Sequence, residues 1–139
     1  MCAYKRKSWA EKLNIDREPV IERAERDFAG IKKGQMMLIP TPKLVDAYIR
    51  EIPKGKQVDA ETIRRDLAAE YHADTTCPLT TGIFIRIVAE AAFEEYEKGK
   101  PLNKITPFWR VIRENSSTAK KLTFGTKLLI EQRQKEAII

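Results

Sequence analysis

The 139 residues are 42% hydrophobic and 33% charged, enough for one ordinary core and too apolar for a disordered polymer, and no apolar run nears the ~20 residues that span a bilayer. Two distant cysteines, Cys2 and Cys77, with the single His72, exclude a disulfide framework and the common zinc-ligand sets. The formal net charge of +6 is confined to residues 100–139, where nine basic side chains face three acidic ones, while residues 1–99 carry seventeen of each.

The first residues, up to about Asn14, are polar and basic and lack the apolar stretch of a signal peptide. A loosely ordered start and a cytoplasmic location are expected. Asp16 can cap a helix to about Ala29, with Val20, Ile21, Ala24 and Phe28 on one face and Gly30 as its stop. Gly34 then introduces Met36-Met37-Leu38-Ile39-Pro40, an apolar run that reads as a strand. Thr41-Pro42 is a strong helix start, because threonine caps a free N–H and proline has none at the first position. Leu44, Val45, Tyr48, Ile49 and Ile52 carry that helix to Pro53. After the Lys54-Gly55-Lys56 turn, Asp59 caps a helix through about Tyr71, with Ile63, Leu67 and Ala68 inward. His72–Cys77 reads as a turn. Pro78 opens a helix from Leu79 to about Lys98 whose broad apolar face includes Ile83, Phe84, Ile87, Val88, Ala91 and Ala92, and Gly99 ends it. Lys104–Ile112 reads as extended, Glu114-Asn115-Ser116-Ser117 as a polar loop, and Phe124–Ala137 as a last helix.

Helix, turn and helix between Asp59 and Lys98, followed by an extended segment and a loop, is the layout of a winged helix-turn-helix, whose second helix enters a DNA groove. The expected fold is mostly α within an α+β class. It comprises a winged-helix-like domain over residues 40–139 and an accessory N-terminal helical segment over residues 1–39. The basic C-terminal third suits a polyanion, because neutralised phosphates release counterions. A solvated basic helix is the plain alternative.

The segment Ile105-Thr106-Pro107-Phe108-Trp109-Arg110-Val111-Ile112 resembles the active-site stretch of the alkylguanine-DNA alkyltransferases, which reads Ile-Pro-Cys-His-Arg-Val-Ile. Ile52-Pro53-Lys54-Gly55-Lys56 with Val58 is similar to the phrase that introduces that family's DNA-binding domain. Thr62–Ala68 falls on its first helix-turn-helix helix, and Leu122-Thr123-Phe124-Gly125 to Lys135 resembles the closing segment of the alkyltransferase-like proteins. The resemblance implies that Phe108 stands where the family has its alkyl-accepting cysteine, and Trp109 where it has the activating histidine. Carbon rings cannot be thiolates. The implied function is therefore a non-enzymatic one: binding duplex DNA and recognising alkylated damage without repairing it, with a repair protein as a further partner. No cofactor, metal or membrane is implied. Ala60 falls near the family's phosphate-pushing tyrosine, and Arg86 is the basic residue nearest its intercalating arginine. An insertion through Glu94, Glu95, Tyr96 and Glu97 precedes Pro107.

The expected DNA contacts are Thr80, Thr81, Arg86, Phe108, Trp109, Arg110, Lys120 and Lys121. Each has a second reading. Thr80 and Thr81 grip a phosphate at a helix start or simply cap it. Phe108 and Trp109 stack on a base or plug the pocket as core aromatics. Arg110 touches DNA or orders its own segment, and the lysines line a backbone or are solvated. A competing class is a protein-interaction module on the same scaffold, with the pocket filled and Glu94–Glu97 facing a partner. It is favoured if the basic residues of 100–139 do not converge with Thr80, Thr81 and Arg86. A third is a thiol enzyme using Cys77, at a helix N-terminus and five residues from His72.

Overall fold

The computed structural model describes residues 8–138. Its elements in order are α1 (Trp9–Leu13), β1 (Val20–Arg23), β2 (Met36–Ile39), α2 (Pro42–Arg50), α3 (Ala60–Glu70), β3 (Thr75–Thr76), α4 (Pro78–Glu97), α5 (Ser117–Lys121) and α6 (Lys127–Lys135). The class is α+β, as expected. Part of the expected loose start, residues 1–7, lies outside the described residues. The rest of it is α1, where Ser8 and Glu11 form a capping box. Glu94 of α4 accepts the Trp9 and Ala10 N–H groups at 3.2 and 3.0 Å, so a carboxylate satisfies donors that so short a helix leaves open.

The helix expected over residues 16–29 is instead one arm of a hairpin. Val20–Arg23 pairs antiparallel with Met36–Ile39, in the register Val20↔Ile39 to Arg23↔Met36. Further in, Phe28 and Ile31 exchange both backbone hydrogen bonds across Ala29-Gly30, which have φ of 47° and 83°. Positive φ at both central residues is the signature of a tight hairpin turn, and it overrides the helical spacing of Val20, Ala24 and Phe28. The stretch read as a turn at 72–77 also holds a strand. Thr75 and Thr76 pair parallel with Met37 and Leu38, and Asp74 accepts the Met36 N–H through its carboxylate.

The three central helices follow the expected capping. Thr41 and Asp59 accept the Leu44 and Thr62 N–H groups, and Pro42 and Pro78 occupy first turns. The main core joins Leu38 with Val45 and Ile49 of α2, Ile63 and Leu67 of α3, Ile85 and Val88 of α4, and Leu129 of α6. A smaller cluster on the other face of β2 holds Ala24, Ile31, Met37 and Cys77. Tyr48 donates to Asp66 and links α2 to α3.

After α4 the chain departs from the expected extended segment and wing. Residues 102–104 and 108–110 are 3-10 turns, because the backbone of this stretch bonds to itself: Arg110 N–H to Pro107 O, and Val111 and Ile112 N–H to Phe108 O. The polar loop is shorter than expected, since Ser116 caps α5 by accepting the Ala119 N–H. The last helix is confined to Lys127–Lys135.

Candidate functional site: two clefts beside residues 107–112

The two stretches singled out by sequence, 52–58 and 107–112, meet in space. Val58 N–H donates to Arg110 O at 2.9 Å, and Arg110 Nη1 donates to Ile52 O at 2.8 Å. Glu136, just past α6, closes the junction. Its carboxylate accepts Gly55 N–H (2.8 Å), Trp109 Nε1 (2.6 Å), Arg110 Nε (2.9 Å) and Arg110 Nη2 (3.0 Å). Gly55 has φ +84°, a conformation that glycine adopts without strain. Burial alone would push the Glu136 carboxyl up, but hydrogen bonds from Arg110, Gly55 and Trp109, with the guanidinium charge, outweigh it and hold the group below its ordinary range. Arg133, buried in α6, donates to Trp109 O at 2.9 Å and reaches Gln57.

Phe108 is fully buried, edge-on to Trp109 and Phe124, and Trp109 is also buried. Both pack as core aromatics. Arg110, 15% exposed, orders its own segment through Glu136 and Ile52. Thr81 is buried with its hydroxyl donating to Cys77 O at 2.7 Å, and Thr80 reaches the same oxygen at 3.4 Å. Arg86 lies over the Trp9 ring at 5.2 Å and pairs with the buried Glu90 at 3.5 Å. Glu90 in turn accepts the Thr123 N–H and hydroxyl. Lys120 and Lys121 are exposed on α5. Of the eight candidates, Thr81, Phe108 and Trp109 are buried, Thr80, Arg86 and Arg110 bond groups of the protein itself, and Lys120 and Lys121 are exposed. The acidic stretch is partly used internally as well, with Glu94 on α1 and Glu95 on Lys100. Cys77 sits in the small apolar cluster, with no hydrogen bond to His72 among the described residues.

The 107–112 segment has a cleft on each side. One, of about 320 Å³, is lined by Asp59 and Ala60 at the start of α3, Ile85 of α4, Val111, Ile112 and Arg113, and Ser116 and Thr118 of the following loop and helix. Its floor is apolar; its rim holds one cation, one carboxylate and two hydroxyls. The other, of about 350 Å³, is lined by Arg50, Lys54, Lys104, Arg110 and Glu136 together with Asn103 and Gln132. Leu102, Ile105, Pro107 and Trp109 supply its apolar walls.

Sequence reasoning missed Glu136, Arg133, Arg113 and Thr118 as parts of this site. The one available signal was Glu136, a rare carboxylate within a basic stretch. No group of three or more metal-ligating side chains occurs among the described residues, and no helix among them is long and apolar enough to cross a membrane. Compared with protein-family models, with curated proteins and with solved structures, the chain matches none.

Proposed function

We propose that the chain is a non-enzymatic DNA-binding protein of alkyltransferase-like type, built on a winged-helix-like arrangement of α3 and α4. The Ala60 cleft receives an extruded base, and Arg113, Lys120 and Lys121 track the phosphates. One observation carries this reading. The first turn of α3, Ile85 of α4 and Val111–Arg113 converge on a single cleft, and these are the stretches that the family resemblance connects with DNA. An apolar floor suits a flat base, and about 320 Å³ is within the range of small-ligand sites. Extrusion costs a few kcal/mol and is easier for a damaged base, which supplies selectivity for lesions. No thiol lines the cleft, so the reading is binding without alkyl transfer.

The test is a salt titration of matched duplexes with and without an alkylated guanine, repeated for Arg113→Ala. Binding should weaken steeply with salt, and Arg113→Ala should lower affinity for both duplexes. Absence of any duplex or single-strand affinity at low salt would sink the proposal.

A second reading rests on a specific observation. Leu79 and Ile83, one turn apart on α4, are 66% and 57% exposed. Apolar side chains at the start of a second helix-turn-helix helix favour a protein partner over a phosphate backbone. Under that reading Leu79→Glu would abolish partner capture while the DNA titration stays blank.

A further inference from the structure

The cleft on the Trp109 side carries chemistry that the base-receiving reading does not use. It gathers Arg50 from α2, Lys54 from the next turn, Lys104 from a 3-10 turn and Arg110, against the single lining carboxylate of Glu136. Glu136 does not neutralise them all. Its two oxygens are already taken by Arg110, Trp109 and Gly55. Nearby, Asp46 holds Arg50 Nε at 2.9 Å and also accepts the Thr106 hydroxyl. Lys54 and Lys104 have no carboxylate within 4.0 Å among the described residues.

Two properties distinguish this cleft from a solvated basic surface. Arg110 is already fixed, because Nε, Nη1 and Nη2 each bond Glu136 or Ile52 O. A guanidinium has further N–H groups to offer, and a pre-ordered one loses little entropy when an anion arrives. The cations also lie around a concavity of about 350 Å³, where their fields converge, rather than on a convex helix face. Pro107, Ile105 and Leu102 give the same cavity an apolar wall.

We infer that this cleft binds a phosphomonoester dianion carried on a compact ring, a nucleoside 5′-monophosphate being the simplest such ligand. The phosphate lies among Arg110, Lys54 and Lys104, and the ring rests on Pro107 and Ile105. The same chemistry is offered by a free nucleotide and by the 5′-phosphorylated end of a DNA strand.

Guanosine 5′-monophosphate is the probe, followed through the Trp109 indole ¹H–¹⁵N resonance, with Trp9 as the internal control against its own neighbours Lys12 and Arg86. The Trp109 resonance should shift saturably. Guanosine without phosphate should bind about tenfold or more weaker, as should the double variant Lys54→Glu with Lys104→Glu. Both lysines are exposed, so that variant should keep its melting temperature. The milder Lys54→Gln with Lys104→Gln pair should fall between. A single-stranded oligonucleotide with a 5′-phosphate is then compared with its 5′-hydroxyl form. Preference for the phosphorylated strand assigns the source to a DNA end; equal affinity of the two strands, with nucleotide binding intact, assigns it to a free nucleotide. A Trp109 resonance unmoved by millimolar nucleotide, or equal binding of guanosine or of the double glutamate variant, overturns the inference. Either result leaves the DNA titration at the Ala60 cleft independent, since Lys54 and Lys104 do not line it.

Discussion

The clefts on the two sides of residues 107–112 differ little in volume, about 320 and 350 Å³, and greatly in charge. The Ala60 cleft opposes Arg113 to Asp59 over an apolar floor, while the Trp109 cleft sets four cations around one occupied carboxylate. Arg50, Lys54 and Lys104 bring most of that charge from other segments, and the coiling of residues 107–112 adds Arg110. A tight 3-10 turn sends Phe108 into the core, turns Trp109 and Arg110 toward Glu136, and delivers Val111 to Arg113 to the opposite side. The position that the resemblance implies for a nucleophile is thus the one that faces neither cleft.

Substitutions at and away from the two clefts would break or sharpen this contrast. Phe108→Ala empties a fully buried position within the segment that contributes to both clefts and is expected to cost about 3–5 kcal/mol in urea unfolding, with both proposed binding activities reduced together. Loss of one binding activity alone would show that the two clefts do not depend on a common packing of this segment. Glu136→Gln acts on the Trp109 side alone. Losing a charge-assisted clamp on Arg110 should destabilise by about 2–3 kcal/mol and leave Arg113-dependent DNA affinity intact.

The same residue fixes a pH window. Its folded pKa lies below the ordinary 4.5, so its stabilisation is present above about that pH and is lost as pH falls through the lower folded value. Denaturation midpoints measured from pH 6 down to pH 2 should therefore fall less steeply in Glu136→Gln than in the parent. At the Ala60 cleft, Lys120→Ala and Lys121→Ala should each reduce the slope of log affinity against log salt by about one if each lysine meets one phosphate, while Lys54→Glu leaves that slope unchanged. The smallest effect is expected far from either cleft. Ala29→Asn relieves the positive φ of the hairpin turn and should stabilise by about 0.5–1 kcal/mol in thermal unfolding, with neither affinity altered.

What could be read in the sequence follows the range of the forces involved. Thr41-Pro42, Asp59 and Pro78 announced α2, α3 and α4 because capping acts within four residues. The β1–β2 hairpin escaped because Val20, Ile21, Ala24 and Phe28 fit a helical period as well as a paired strand, and the deciding turn uses alanine where asparagine is the usual cue. The two-residue β3 has no periodicity to detect. For the site, residues 52–58 and 107–112 each stood out in the sequence, but their contact shows only in the fold. That Arg110 and Arg133 serve the interior could not be read from charge, since only tertiary contact shows which of nine cations are buried. Glu136 stood out only as a carboxylate in a basic stretch, because its partner Gly55 lies 81 positions away.

That separation has a kinetic meaning. The helices α2 to α4 are held largely by contacts available as soon as residue 97 is in place, whereas the clamp needs a loop of 81 residues to close. Long-range closures come late and slowly in folding. Both clefts take walls from the 107–113 stretch, which Arg133 ties to α6 through Trp109 O and Ile112 O, so neither is complete in a partly folded chain. On the proposed readings, competence to bind reports completed folding, and an intermediate with only its central helices formed stays blind to either proposed ligand.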